Sequence, residues 1–205
     1  FDNVSYKIQS GKLYLTDKGR YGDFENLQIK SDIFDVTKTI KVIQNLVNEE
    51  GYVGVYYFPS EEFVSQFVIS YGRNEKRVSN NTNELNIVYY PDKYYPLKDS
   101  SRIDLFSNQC YMKISIVHLW QELSEFEKGI YVDSYLKERL QKGLEGEFGK
   151  TYATQIMEYI AEKITETFTK EDNYDTEIGQ KTFGRYQIDY YKKPQGLPEF
   201  YISMR

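Results

Sequence analysis

Apolar and polar residues alternate with a period of two over much of the chain, and in three places the period lengthens to that of a helix. Residues 4–8 and 12–16 alternate around Ser10-Gly11, which predicts a hairpin, and 26–30 adds a short strand. A helix is expected over 35–49, capped by Asp35 or Thr37, with Val36, Ile40, Ile43 and Val47 on one stripe and Gly51 as a stop. Residues 52–58 and 63–71 read as consecutive strands joined at Pro59-Ser60, and 73–83 as a polar loop. A strand pair, 84–90 and 93–98, is predicted around Pro91-Asp92. A longer alternating run, 110–120, puts Cys110, Met112, Ile114, Ile116, His118 and Trp120 on one side.

Ser124 and Glu127 form a capping-box pattern that opens a second helix to about residue 142, with Phe126, Ile130, Leu136 and Leu140 facing inward. Gly143, Gly146 and Gly149 suggest a loop leading into a third helix, about 151–169, whose stripe is Tyr152, Ile156, Tyr159/Ile160, Ile164 and Phe168. Two closing strands, 182–192 and 199–204, are separated by Pro194, Gly196 and Pro198. No internal repeat, low-complexity stretch or linker interrupts the chain, so residues 1–205 are read as one domain. Strands that follow one another through short turns pair antiparallel. The fold class is therefore α+β: an antiparallel meander with about three helices on one face, the other face open and concave.

Strand parity then sorts the residues. Val53, Val55, Phe63, Phe67, Ile69, Leu85, Ile87, Ile114, Ile116, Ile188, Phe200 and Ile202 are expected to face the helices. Tyr52, Tyr56, Gln66, Asn86, Tyr90, Tyr111, Lys113, Arg185, Gln187, Asp189, Tyr191 and Tyr201 fall on the open side. A tyrosine there offers a large rigid ring and a hydroxyl, the chemistry enriched at protein interfaces. Strand propensity alone also accounts for many tyrosines, so the two readings stand side by side.

Composition narrows the function. With 26 Lys+Arg against 31 Asp+Glu the net charge is −5, which argues against nucleic acid as partner, and no apolar run is long enough to span a bilayer. The 21 Tyr, 12 Phe and 40% hydrophobic residues mark a folded chain. One Cys and one His exclude an internal disulfide framework and a multi-ligand Cys/His zinc site. The acidic excess is concentrated in residues 120–177, with 7 basic and 14 acidic groups, and reads as a solvated helix surface or as a surface for a basic partner.

The usual catalytic patterns are missing or out of context. Gly143, Gly146 and Gly149 link two helices, not a strand and a helix, so they do not make a dinucleotide loop. Ser134 and Lys137 match the SxxK pattern of serine acyl-enzymes without its companion motifs. His118 and Cys110 are expected to be structural core groups. Asp172, Asp175 and Glu177 form an acidic loop lacking the spacing of a calcium site. Neither a catalytic residue, a cofactor nor a metal is therefore expected.

By elimination the chain reads as a binding protein. Phe1-Asp2 followed by Tyr6, the Tyr/Lys/Asn-rich composition and the order of strands and helices resemble the TipC family of immunity proteins of Gram-positive bacteria. The resemblance implies an outward-facing inhibitor that binds a secreted toxin of the LXG class, which attacks lipid II at the outer face of the membrane. It implies a concave sheet as the binding surface and an anchor upstream of Phe1. A monomer is expected. Two alternatives stay open: an extracytoplasmic small-molecule-binding or sensor domain, with a deep apolar cavity, and a hydrolase using two carboxylates, one with a strongly raised pKa.

Overall fold

The computed structural model describes residues 4–19, 23–47, 51–59, 65–73, 84–94, 109–117, 134–169, 175–194 and 198–205. Ser10 and Gly11 both take positive φ, 51° and 70°, the two-residue turn whose twist matches a hairpin. That turn sets β1 (Val4–Gln9) against β2 (Lys12–Lys18), and β3 (Asp23–Gln28) pairs with the other edge of β2. The result is a small three-stranded sheet that buries Leu13 and Leu15.

The Asp35 carboxylate accepts the Thr37 N–H at 2.8 Å and caps α1 (Val36–Leu46), as its position before an apolar stripe suggests. The helix ends three residues earlier than the pattern implies. Val47 is its extended cap and points into solvent instead of continuing the stripe.

The large sheet has seven antiparallel strands, β4 (Gly51–Phe58), β5 (Gln66–Arg73), β6 (Glu84–Tyr94), β7 (Cys110–Val117), β8 (Glu177–Phe183), β9 (Tyr186–Lys192) and β10 (Glu199–Met204), in the order β4-β5-β6-β7-β10-β9-β8. Two expectations fail here. The chain does not turn at Pro91-Asp92: β6 runs through them, and a register irregularity between Tyr89 and Tyr94 absorbs the missing proline donor. The run 182–192 is not one strand, because Gly184 takes φ 57° and folds it into the β8–β9 hairpin.

Two helices follow β7: α2 (Ser134–Phe148) and α3 (Lys150–Thr169). Gly143 and Gly146 lie inside α2, not in a loop. A Cβ on Gly146 would stand 2.6 Å from the Val42 amide nitrogen, and one on Gly143 2.6 Å from Leu46. The close approach of α1 overrides the weak helix propensity of glycine. Gly149 alone separates α2 from α3, at φ 75°, with its N–H on Glu145 and its C=O accepting from Ala153. The Ser124/Glu127 capping box, Phe63, His118 and Trp120 lie outside the described residues, as do the side chains of Leu85, Ile116 and Phe168. No described helix is long and apolar enough to cross a membrane.

The three helices and the small sheet share one apolar core with one face of the large sheet. Val55, Phe67, Ile69, Ile87, Ile114, Ile188, Phe200 and Ile202 enter it as parity requires, and Val53 packs at its margin. The opposite face, free of the described helices, carries a second, smaller cluster of Val68, Val88, Tyr90, Cys110, Tyr191 and Tyr201, flanked by Tyr56 and Phe58.

Candidate functional site

Reading across the strands of the helix-free face, one row runs Tyr56, Val68, Val88, Lys113, Tyr201, Asp189, Gln180. The next runs Gly54, Ser70, Asn86, Ser115, Glu199, Tyr191, Ile178. The face is thus apolar toward β4–β6 and hydrogen-bonded toward β8–β10. Of the residues sorted onto it from the sequence, Tyr56, Gln66, Asn86, Tyr90, Lys113, Gln187, Asp189, Tyr191 and Tyr201 share this face; the Tyr52 side chain lies outside the described ones.

Sharing the face does not mean exposure. Tyr90, Tyr191 and Tyr201 are only 2%, 3% and 5% exposed, and Gln187 and Asp189 are equally buried. These side chains therefore do not form the bare tyrosine surface that parity suggested. Tyr56, Gln66, Asn86 and Lys113 remain partly exposed.

Two further members leave the set. Tyr111 has no register partner on either side, since Met112 pairs Ile202 and Tyr89 while Cys110 pairs Ser203 and Tyr94. This bulge adds one residue, so Tyr111 joins Met112 on the helix face and Cys110 is thrown to the other side. Arg185 sits in the β8–β9 turn, its guanidinium 5.1 Å from the Tyr186 ring and donating to that hydroxyl at 2.9 Å. Cys110 is buried as expected, although on the face opposite to the one expected. Burial pushes its thiol up to about 12, and Sγ donates to the Met112 carbonyl.

Tyr111 leads to a group that sequence reasoning missed. Its hydroxyl donates to Glu147 Oε1 at 3.1 Å, and the Tyr89 hydroxyl donates to Oε2 at 3.3 Å. Glu147 is on α2 and only 4% exposed. Burial raises its pKa, while Lys38 and the two tyrosine hydroxyls pull the other way. Nothing local marks Glu147 in a helix rich in Glu and Lys; the bulge in β7 brings Tyr111 to it, beside Tyr89 of β6.

On the helix-free face the polar groups bind one another sideways. Asp189 Oδ1 accepts from Gln180 Nε2 at 2.8 Å and from Gln187 Nε2 at 3.1 Å, and Gln187 Oε1 accepts from Arg205 Nε and Nη2 at 3.0 and 2.8 Å. Burial raises the Asp189 pKa, and the two amides and Arg205 restrain the rise. Lys113 Nζ donates to Glu199 Oε1 at 3.1 Å, and the Tyr201 hydroxyl donates to Glu199 Oε2 at 2.7 Å.

At the edge of the sheet, α3 and β8 enclose a groove of about 440 Å³ lined by Gln155, Glu158, Tyr159, Glu162, Lys181, Thr182, Phe183 and Gly184. Lys181 lies over the Tyr159 and Phe183 rings at 5.0 and 5.4 Å. Burial, with Glu162 and Glu166 nearby, lifts the Tyr159 hydroxyl to about 12. Of the acidic loop proposed from sequence, Glu177 belongs to β8, where it meets Lys192 at 3.8 Å and the Tyr190 hydroxyl at 3.2 Å. Among the described residues no three His, Cys, Asp or Glu side chains converge as metal ligands. Compared with models of known families, with curated proteins and with solved structures, the chain matches none.

Proposed function

We propose that this chain is a protein-binding inhibitor, an immunity protein that neutralises a secreted antibacterial toxin of the LXG class outside the cell membrane. The observation that carries the reading is the partly exposed set Tyr56, Gln66, Asn86 and Lys113, one on each of four neighbouring strands of the helix-free face, around the buried Val68 and Val88. Such a set places an aromatic ring, the Gln66 amide and a cation on a rigid support, and rigid support lowers the entropy lost on binding. The resemblance in the opening residues and in the order of elements points the same way. On this reading Tyr56 anchors the partner, while Lys113 and Glu199 set orientation and encounter rate at the rim.

The described groups favour it over the two alternatives. Half of the residues lining the α3–β8 groove carry charged or amide side chains, unlike an apolar ligand cavity. Glu147 has the raised pKa of a catalytic acid, but it is sealed under α2 with its oxygens bound by Tyr89 and Tyr111. Asp189 is likewise held by Gln180 and Gln187.

The test is capture of a candidate toxin domain of the LXG class, together with survival of cells that display the chain outside the membrane. The Tyr56→Ala/Lys113→Glu variant is expected to lose capture at least about tenfold, the scale of one lost hot spot, with the melting temperature nearly unchanged. Absence of both capture and protection by the native chain overturns the proposal.

A further inference from the structure

Strand β8 ends the large sheet. It pairs with β9 on one side, and among the described residues no strand pairs with its other side. A free edge presents a row of backbone N–H and C=O groups able to pair with another extended chain. Ile178, Gln180, Lys181 and Thr182 are exposed along it, Ile178 by 43%. Side chains alternate across this edge. Gly179 and Lys181 face Tyr159 of α3, whereas Gln180 turns to Asp189 on the helix-free face.

The wall opposite the edge is acidic. Gln155, Glu158 and Glu162 line the groove from one stripe of α3, and all three are exposed. Neighbouring carboxylates are neutralised, Glu166 by Lys163 and Glu177 by Lys192. Glu158 and Glu162 form no ion pair among the described residues. They are four residues apart on a helix, about 6 Å along its axis. That distance is close to the ~6.6 Å separating alternate residues of a strand. An extended segment on β8 would therefore bring every second side chain to successive carboxylates. Lys181, the one cation among the described residues lining the groove, is already over the Tyr159 and Phe183 rings.

We propose that β8 and the Glu158/Glu162 wall form a docking site for an extended basic segment of a partner protein, added as an eighth strand with Lys or Arg at alternate positions. The proposal rests on the reading of this chain as a protein-binding domain and names the chemistry of the bound segment.

Three synthetic peptides test it by fluorescence anisotropy and by amide protection along β8: one alternating Lys with Val, one alternating Glu with Val, and the Lys peptide N-methylated at alternate residues. The Lys peptide is expected to bind and to protect β8 amides. The Glu peptide, the N-methylated peptide and the Glu158→Lys/Glu162→Lys variant should each weaken binding at least about tenfold, since each removes charge pairing or strand hydrogen bonds. Equal binding of the Glu or N-methylated peptide, no binding of the Lys peptide, or β8 protection that instead follows dimerisation of the chain overturns the site. Peptide binding without toxin capture by the native chain would sink the immunity reading and keep the site. Toxin capture that survives Glu158→Lys/Glu162→Lys, with no peptide binding, would do the reverse.

Discussion

The two faces of the large sheet bury tyrosines by different means. On the helix face the rings stack into a thick core, and their hydroxyls reach across layers, Tyr89 and Tyr111 to Glu147 of α2 and Tyr190 to within 3.4 Å of Thr167 on α3. On the other face the contacts run sideways, strand to strand, through Lys113–Glu199–Tyr201 and Gln180–Asp189–Gln187–Arg205. The first arrangement requires another layer of structure, while the second is completed largely within the sheet itself. A buried tyrosine on this sheet therefore does not reveal which side carries the helices: Tyr89 and Tyr111 reach a helix, whereas Tyr190 also donates sideways to Glu177 of β8.

Truncation should separate the faces most clearly. Phe200 lies between Tyr159 and Tyr190, with ring centroids 6.3 and 5.6 Å away. Phe200→Ala is expected to lose about 3–5 kcal/mol in chemical denaturation, and Val68→Ala in the smaller cluster about 1–3 kcal/mol. Equal losses would mean that the two clusters are one core.

A pH series sharpens the contrast at Glu147. Its folded pKa is raised above 4.5 by burial, so the folded state holds the proton more tightly than the unfolded chain. The stability this adds is complete below pH 4.5 and is lost as pH rises through the folded value. Glu147→Gln keeps a neutral acceptor for one tyrosine, turns an N–H donor toward the other hydroxyl and cannot ionise. It should therefore gain stability relative to the native chain as pH climbs from 4.5, measured by thermal melts across the range. A difference that does not change with pH would place the carboxylate in water.

The smallest effect belongs to Lys113. Its bridge to Glu199 joins partly exposed side chains, and Lys113→Ala should cost no more than about 1 kcal/mol, less at high salt. A larger, salt-independent loss would show that the lateral network carries the face as firmly as the helices carry theirs.

Much of this architecture was legible from period and punctuation. The Ser10-Gly11 turn, the Asp35 cap and the inward set Val55, Phe67, Ile69, Ile188, Phe200 and Ile202 all follow from rules that act over a few residues. What escaped depends on contacts distant in sequence. The bulge that reverses Tyr111 arises where β7 meets two strands of different length. Gly143 and Gly146 read as a loop because their purpose, admitting α1 against α2, lies about 100 residues away. Lys192 is 1% exposed only because Glu177 and the Asp175 carbonyl meet its ammonium. Of the candidate site, the sequence conveyed parity but not burial, so it marked Tyr90, Tyr191 and Tyr201 as available when they are not.

The position of β10 has one more consequence. Among the described residues it is the last strand in sequence, yet it lies between β7 and β9 and alone joins the first four strands of the sheet to β8 and β9. During synthesis, both flanks can form while the seam between them stays unzipped until residues 199–204 leave the ribosome. A chain stopped just short of that point would hold two sticky half-sheets, and quality-control proteases should clear it far faster than a chain that includes residues 199–204.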